Sequence, residues 1–393
     1  MLYPVLSRIF TADDYAVFGL YVAVFSFLEI ASAGRYDFAV IIPEKDDDAI
    51  NLVAGGILIS LCYSVLVLII VLLFGEFISS KLNNPKLLKW LVLLPVTLIL
   101  ISISKMCNSW LIRKKKFKSA SLNRASQKFG EGGTQLILGT LNISNGLILG
   151  DLCGKIFNAI LSAFQAVKGS LKFGAINANS VRLVLKKYIE FPKYGLVPAM
   201  LNTLGGMLPV FIVSSSFSTQ ISGNFNFSRI VLSIPFALIA SGISQVLMQQ
   251  VSERRQKNLP FAAEAYSLAM KLSVLSVIGI FILYLWGADL FAFVFGDQWR
   301  LSGQFTSILI FSYAVTFIVS PFSVLLISLE KIKWAGYWQI FYFAAISMLW
   351  IFTAVQIENF LVTLVVIDII SYGIYGFIIN KAVHDYERNL SRT

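Results

Sequence analysis

Histidine is all but missing: one residue in 393, His384, sits in the polar C-terminal tail. Neither a Ser-His-Asp triad nor a histidine metal site can be assembled around it, which argues against hydrolytic chemistry of that kind. The three cysteines, Cys62, Cys107 and Cys153, fall inside apolar runs with no CxxC-type spacing and read as small hydrophobes. No GxxxxGK[ST] stretch is present, so direct ATP drive lacks support. Charge is scarce as well, 13% Asp, Glu, Lys and Arg, where a soluble domain carries roughly 25%. No polar stretch is long enough to be a soluble domain.

What fills the chain is apolar: 57% hydrophobic residues and a mean hydropathy of +0.77. A helix needs about 20 mainly apolar residues to cross the hydrocarbon core. Eleven windows qualify, about 16–42, 49–74, 88–111, 119–139, 145–167, 194–216, 222–247, 266–288, 303–327, 334–355 and 359–380. The longest connection, about 168–193, has room for a short amphipathic helix and no more.

Met1–Phe10 is apolar but too short to span, and it has neither the basic n-region nor the small-residue cleavage site of a signal peptide. It resembles the last third of a span. Pro4-Val5-Leu6 followed by Gly19 matches Pro209-Val210-Phe211 followed by Gly223, a repeat at an offset of about 205 residues. The expectation is two halves of six spans each, with the first helix truncated and a complete one beginning some 15–20 residues before Met1. The domains expected are an N-terminal bundle over 1–167, a basic cytoplasmic linker over 168–193, and a C-terminal bundle with a cytoplasmic tail over 194–393.

The net charge of +11 could point to nucleic acid. The cations follow the loops instead: twenty on one side, including Lys45, Arg113 to Lys118, Lys168, Lys172, Arg182, Arg254, Lys331 and Arg392, against four on the other, Arg8, Lys81, Lys86 and Arg300. The positive-inside rule then puts the C-terminus in the cytoplasm, and no nucleic-acid partner is expected.

Eight cations remain in or beside spans, where an ionisable group costs about 2.5–3.5 kcal/mol at mid-bilayer. Lys89 can snorkel. Arg35, Lys105, Arg124, Lys128, Lys155, Arg229 and Lys271 share the spans with five acids, Glu29, Asp37, Glu131, Asp151 and Asp368. Arg124, Gln127, Lys128, Glu131 and Gln135 fall on one helix face, as do Asp151, Lys155, Asn158, Ser162 and Gln165. Two such seams predict a water-filled cavity. The bland alternative is that Lys128–Glu131 and Asp151–Lys155 are self-neutralising i,i+3 and i,i+4 pairs. Arg35 and Arg229 have no acid three or four residues away, so each reads as a ligand for an anion, because guanidinium binds phosphate oxygens bidentately. Lys105 and Lys271 read more simply as snorkelling or as headgroup contacts. Pro198, Gly205-Gly206 and Pro209 would let one helix bend.

Several segments, taken in order, resemble the polysaccharide biosynthesis proteins that flip lipid-linked O-antigen units, within the multidrug/oligosaccharidyl-lipid/polysaccharide exporter superfamily. They are Pro4 to Thr11 with Gly19; Arg35-Tyr36-Asp37-Phe38-Ala39 with Pro43; Phe191-Pro192-Lys193-Tyr194; Leu208-Pro209 with Gly223; Arg229 with Pro235; and Phe295 to Trp299. The resemblance implies an all-α polytopic membrane protein of two six-helix bundles with pseudo-twofold symmetry and a cation-lined cavity. It implies a flippase, not an enzyme, in the bacterial inner membrane, moving an undecaprenyl-pyrophosphate-linked oligosaccharide for surface polysaccharide by alternating access. On that reading Arg35, Arg124, Lys155 and Arg229 hold the pyrophosphate. Asp37, Glu131, Asp151 and Asp368 are candidates for proton or sodium coupling, with no other cofactor. Membrane lipid, a polysaccharide polymerase and a chain-length regulator are the further partners it implies. The rivals are a drug or organic-ion exporter of the same fold, disfavoured by seven intramembrane cations against five acids, and a membrane-embedded glycan polymerase, disfavoured by short external loops.

Overall fold

The computed structural model describes residues 2–143, 145–168, 171, 173–257, 259–352 and 356–390. Lys172 and Arg392, two of the loop cations counted above, lie outside the described residues, as does the end of the window at 334–355. Every regular element among the described residues is a helix. The chain divides into two compact units, Met1–Ser215 and Ser216–Thr393.

The first unit runs α1 (Tyr3–Ile9), α2 (Ala12–Ala31), α3 (Tyr36–Ala39), α4 (Asp46–Lys81), α5 (Leu88–Leu91), α6 (Leu94–Arg113), α7 (Phe117–Thr140), α8 (Gly146–Lys168), α9 (Ala178–Lys187) and α10 (Glu190–Ser216). The apolar stub forms α1, with Pro4 in its first turn where no intrahelical N–H is needed, and it packs on α7. The polar turn after it caps α2. Thr11 accepts from the Asp14 amide while the Asp14 carboxylate accepts from the Thr11 amide at 2.9 Å, a reciprocal capping box.

Helix α4 is built inside out, as lipid as solvent requires. Its buried positions include the small residues Gly55, Gly56, Ser60, Ser64 and Gly75, whereas Leu58, Leu61, Leu72 and Leu73 are exposed. Its acidic first turn, Asp46 to Asp48, suits the positive end of the helix dipole. Asp46 also receives Arg113 at 3.2 Å and Lys114, which ties the end of α6 to the start of α4.

The second unit runs α11 (Thr219–Gln256), α12 (Ala262–Phe295), α13 (Arg300–Val319), α14 (Ser323–Ser328), α15 (Ile332–Ser347) and α16 (Ile357–Leu390). Helix α13 packs on α11, α12 and α16. Trp338 and Phe317 lie in an apolar cluster drawn from α11, α12, α14 and α16.

Ten helices among the described residues are long and apolar enough to cross a membrane, so the protein is a multi-pass, all-α membrane protein. The eleventh window, 119–139, does fold as the 24-residue α7 but is too polar to stand with the ten. The reason is the seam itself: a helix that spends Asn123, Arg124, Gln127, Lys128, Glu131 and Gln135 on polar contacts has few apolar positions left.

Candidate functional site

In the first unit the polar residues gather at two places. One is the connection after α2. Gly34 and Arg35 both take the left-handed backbone conformation, at φ +58° and +61°. That conformation is routine for glycine and costs an arginine of order 1–3 kcal/mol. The turn throws Arg35 out of helical register, so its guanidinium stacks 4.3 Å from the centre of the Phe38 ring and lies beside Gly195 of α10. No carboxylate ion-pairs with Arg35 among the described residues. Tyr36 holds the segment down by donating to the Leu185 carbonyl of α9 at 2.9 Å.

Asp37 is half-buried next to this turn. It lies close to the charges of Lys105, Arg35 and Glu29. Lys105, expected to snorkel, instead reaches from α6 to Glu29 on α2 at 2.8 Å. Four charged groups from three elements therefore share one neighbourhood. Glu29 and Lys105 had no signal beyond their presence inside spans, because a partner on another helix leaves no periodicity.

The second place is the α7–α8 contact. A strict four-residue repeat, Gly146, Gly150, Gly154, Asn158, Ser162 and Ala166, gives α8 a ridge of small buried residues. The approach is so close that a Cβ on Gly154 would stand 2.6 Å from the Gln127 carbonyl oxygen, and one on Gly150 2.9 Å from that of Glu131. Asn158 donates to Gln127 Oε1 at 2.7 Å, and Gln135 donates to the Leu147 carbonyl at 3.1 Å.

The inner residues of the α7 seam are thus used in helix–helix contact rather than in walling a water-filled cavity. Close packing across glycine leaves the amides no water to bind, so they bind one another. Glu131 is buried and pairs with Lys128 on its own helix at 2.7 Å, while Lys128 and Arg124 point outward and are exposed. Lys155 pairs with Asp151 one turn away, and its ammonium lies 3.5 Å from the centre of the Phe25 ring on α2.

In the second unit, α11 and α13 are joined by buried hydroxyls and amides. Ser302 donates to Asn224 Oδ1 at 2.8 Å, and Ser228 donates to the Ser302 carbonyl at 2.7 Å. Directly after Ser228, Arg229 extends over the Phe225 ring, 5.6 Å from its centre. Asp368 of α16 is buried and accepts from Ser312 of α13 and from Tyr342 of α15, the latter at 3.0 Å. Three helices therefore converge on one carboxylate. The sequence marked Asp368 but not its two hydroxyl partners, which are ordinary span residues until the helices meet.

A polysaccharide biosynthesis protein family model matches residues 5–304. The chain belongs to that family. Among solved structures, it is similar to an inward-facing multidrug resistance MATE family transporter of the MOP superfamily, with a TM-score of 0.74 at 13% identity over 98% of this chain and 96% of that one. A MATE structure in the bent conformation gives a TM-score of 0.55 at 10% identity over 99% and 93%. An outward-facing MATE family transporter gives 0.53 at 12% over 94% and 86%. No curated protein matches the chain. At these identities the likeness shows a shared fold, and it makes this family member a polysaccharide biosynthesis protein with the fold of MOP-superfamily transporters.

Proposed function

We propose that this family member moves an undecaprenyl-pyrophosphate-linked oligosaccharide across the bacterial inner membrane for surface polysaccharide assembly, without changing it covalently. The observation that carries the reading is Arg35: a guanidinium held on a strained turn within a membrane fold, with no carboxylate in contact among the described residues. A half-buried cation with no carboxylate in contact, held at that cost, is matched to an anionic cargo, and a diphosphate offers the fork its oxygens.

Arg35, Arg124, Lys155 and Arg229 are the proposed pyrophosphate contacts. Asp37, Glu131, Asp151 and Asp368 are the proposed proton- or sodium-responsive groups. Transport is proposed to proceed by alternating access, with the C-terminus cytoplasmic and a polymerase and chain-length regulator receiving the product. The drug-exporter reading draws on fold alone, and fold does not fix cargo.

The test is complementation in cells lacking their own flippase. Arg35→Ala, Arg35→Lys, Arg229→Ala and Arg229→Lys should each insert at normal levels, lose surface glycan, and accumulate lipid-linked repeat units at the cytoplasmic face. Normal glycan in all four variants removes the two arginines from the proposed site.

A further inference from the structure

The end of the first unit where α6 turns into α7 carries two kinds of lysine and arginine. Arg113 and Lys114 are spent on structure, both bound to Asp46. The next cations are not. Lys115, Lys116 and Lys118, together with Lys168 at the end of α8, line a groove of about 760 Å³. None of these four makes an ion pair among the described residues, and no acid lines the groove.

The rest of the wall is of two sorts. Phe117 and Phe164 are exposed at 60% and 63% and continue the apolar surface of the spans up to the lysines. Gln165 also lines the groove, and its amide oxygen is buried without a donor. The groove sits where α6 ends and α8 ends, the level at which a bilayer changes from acyl chain to headgroup.

We propose that this groove binds the headgroup of an anionic glycerophospholipid that carries hydroxyls, of the phosphatidylglycerol kind. Each part of the lipid has a counterpart. The phosphodiester faces four unneutralised ammonium groups, and basic pockets between spans are where anionic headgroups bind. The acyl chains lie along Phe117 and Phe164. The Gln165 oxygen, buried without a donor at a cost, gains one from a headgroup hydroxyl when its side chain turns into the groove. A partner protein with an acidic segment would match the lysines but leave two aromatic rings facing acyl chains on their own, so the lipid is the occupant the surface favours.

The proposal does not depend on what the protein transports and is tested without transport. The full chain, purified in neutral detergent, is titrated with phosphatidylglycerol, phosphatidic acid, phosphatidylcholine or a polyprenyl pyrophosphate, and bound lipid is counted by native mass spectrometry. Phosphatidylglycerol should be retained over phosphatidylcholine. Changing all four lysines to Gln should cut that preference about tenfold or more, whereas changing all four to Arg should keep it. Gln165→Leu should lower the preference for phosphatidylglycerol over phosphatidic acid, which lacks the hydroxyls.

A comparison variant with Lys257, Lys331 and Lys333 changed to Gln removes similar charge elsewhere and should bind as the parent does. Equal loss in both sets would reduce the effect to net charge and overturn the site. So would unchanged retention in the four-lysine Gln variant. Stronger retention of the polyprenyl pyrophosphate, lost with the same lysines, would make the groove a cargo contact and overturn the phospholipid assignment. Elution of each variant as a single symmetrical peak confirms that the comparison is between folded proteins.

Discussion

The ammonium of Lys155 on α8 stands 3.5 Å from the centre of the Phe25 ring on α2. The same ammonium pairs with Asp151, and the two side chains are 4% and 11% exposed. A desolvated cation–π contact is worth about 2 kcal/mol, and removing one member of a buried pair leaves the other charge uncompensated at about 3–5 kcal/mol. Lys155→Ala should therefore lower the thermal unfolding temperature in detergent sharply. The double variant Asp151→Asn with Lys155→Gln should recover most of it. If the recovered protein also restores surface glycan, the pair is structural alone, and Lys155 leaves the proposed cargo site as Asp151 leaves the coupling candidates; glycan that stays lost keeps the pair in transport.

Gly150 and Gly154 set the distance between α7 and α8. A leucine at either position would drive its side chain into the α7 backbone, so Gly150→Leu and Gly154→Leu should each destabilise the protein by roughly 2–4 kcal/mol. Gly174, with open space around it, should accept alanine with a change under about 0.5 kcal/mol. Unfolding followed by tryptophan fluorescence distinguishes these, and equal effects at Gly150 and Gly174 would contradict the close approach.

Arg35 separates stability from function in the opposite sense. Glycine tolerates its left-handed backbone without strain but loses more entropy on folding, so Arg35→Gly should leave the stability unchanged or raise it by up to about 2 kcal/mol, read from the melting temperature. Surface glycan should nonetheless fall as it does for Arg35→Ala. A variant that keeps both would show that the strain serves the turn and not the guanidinium.

Asp368 receives hydroxyls from α13 and α15. Asn in its place can still accept from one of them, whereas Ala orphans both, at about 1–3 kcal/mol. Asp368→Asn should fold normally and lose the dependence of transport on the proton or sodium gradient in proteoliposomes, while Asp368→Ala should also melt earlier. Gradient dependence retained in Asp368→Asn would transfer the coupling role to Asp37, Glu131 or Asp151.

The proposed orientation is checked by single cysteines placed in a background with Cys62, Cys107 and Cys153 replaced by Ala. Lys257→Cys should react with an impermeant thiol reagent only after the membrane is opened. Gln298→Cys should react in intact cells. The reverse pattern would invert the topology.

By itself the sequence determined the class, the helices and their solvent. Apolar runs of span length can satisfy their backbone in lipid only by closing hydrogen bonds within each segment, so hydropathy alone sufficed for ten spans. The local pairs Lys128–Glu131 and Asp151–Lys155 were also legible, since one helical turn fixes who meets whom. Tertiary structure decided the rest. That Lys105 meets Glu29, that Ser312 and Tyr342 meet Asp368, that Gln127 meets Asn158 rather than water, and that Lys155 meets Phe25 all depend on which helix faces follow which. The glycine ridge of α8 was written in the chain, but the four-residue repeat became the reason for close packing only once α7 lay against it. Periodicity records the face a residue occupies, and the partner across that face is chosen by packing of the whole unit.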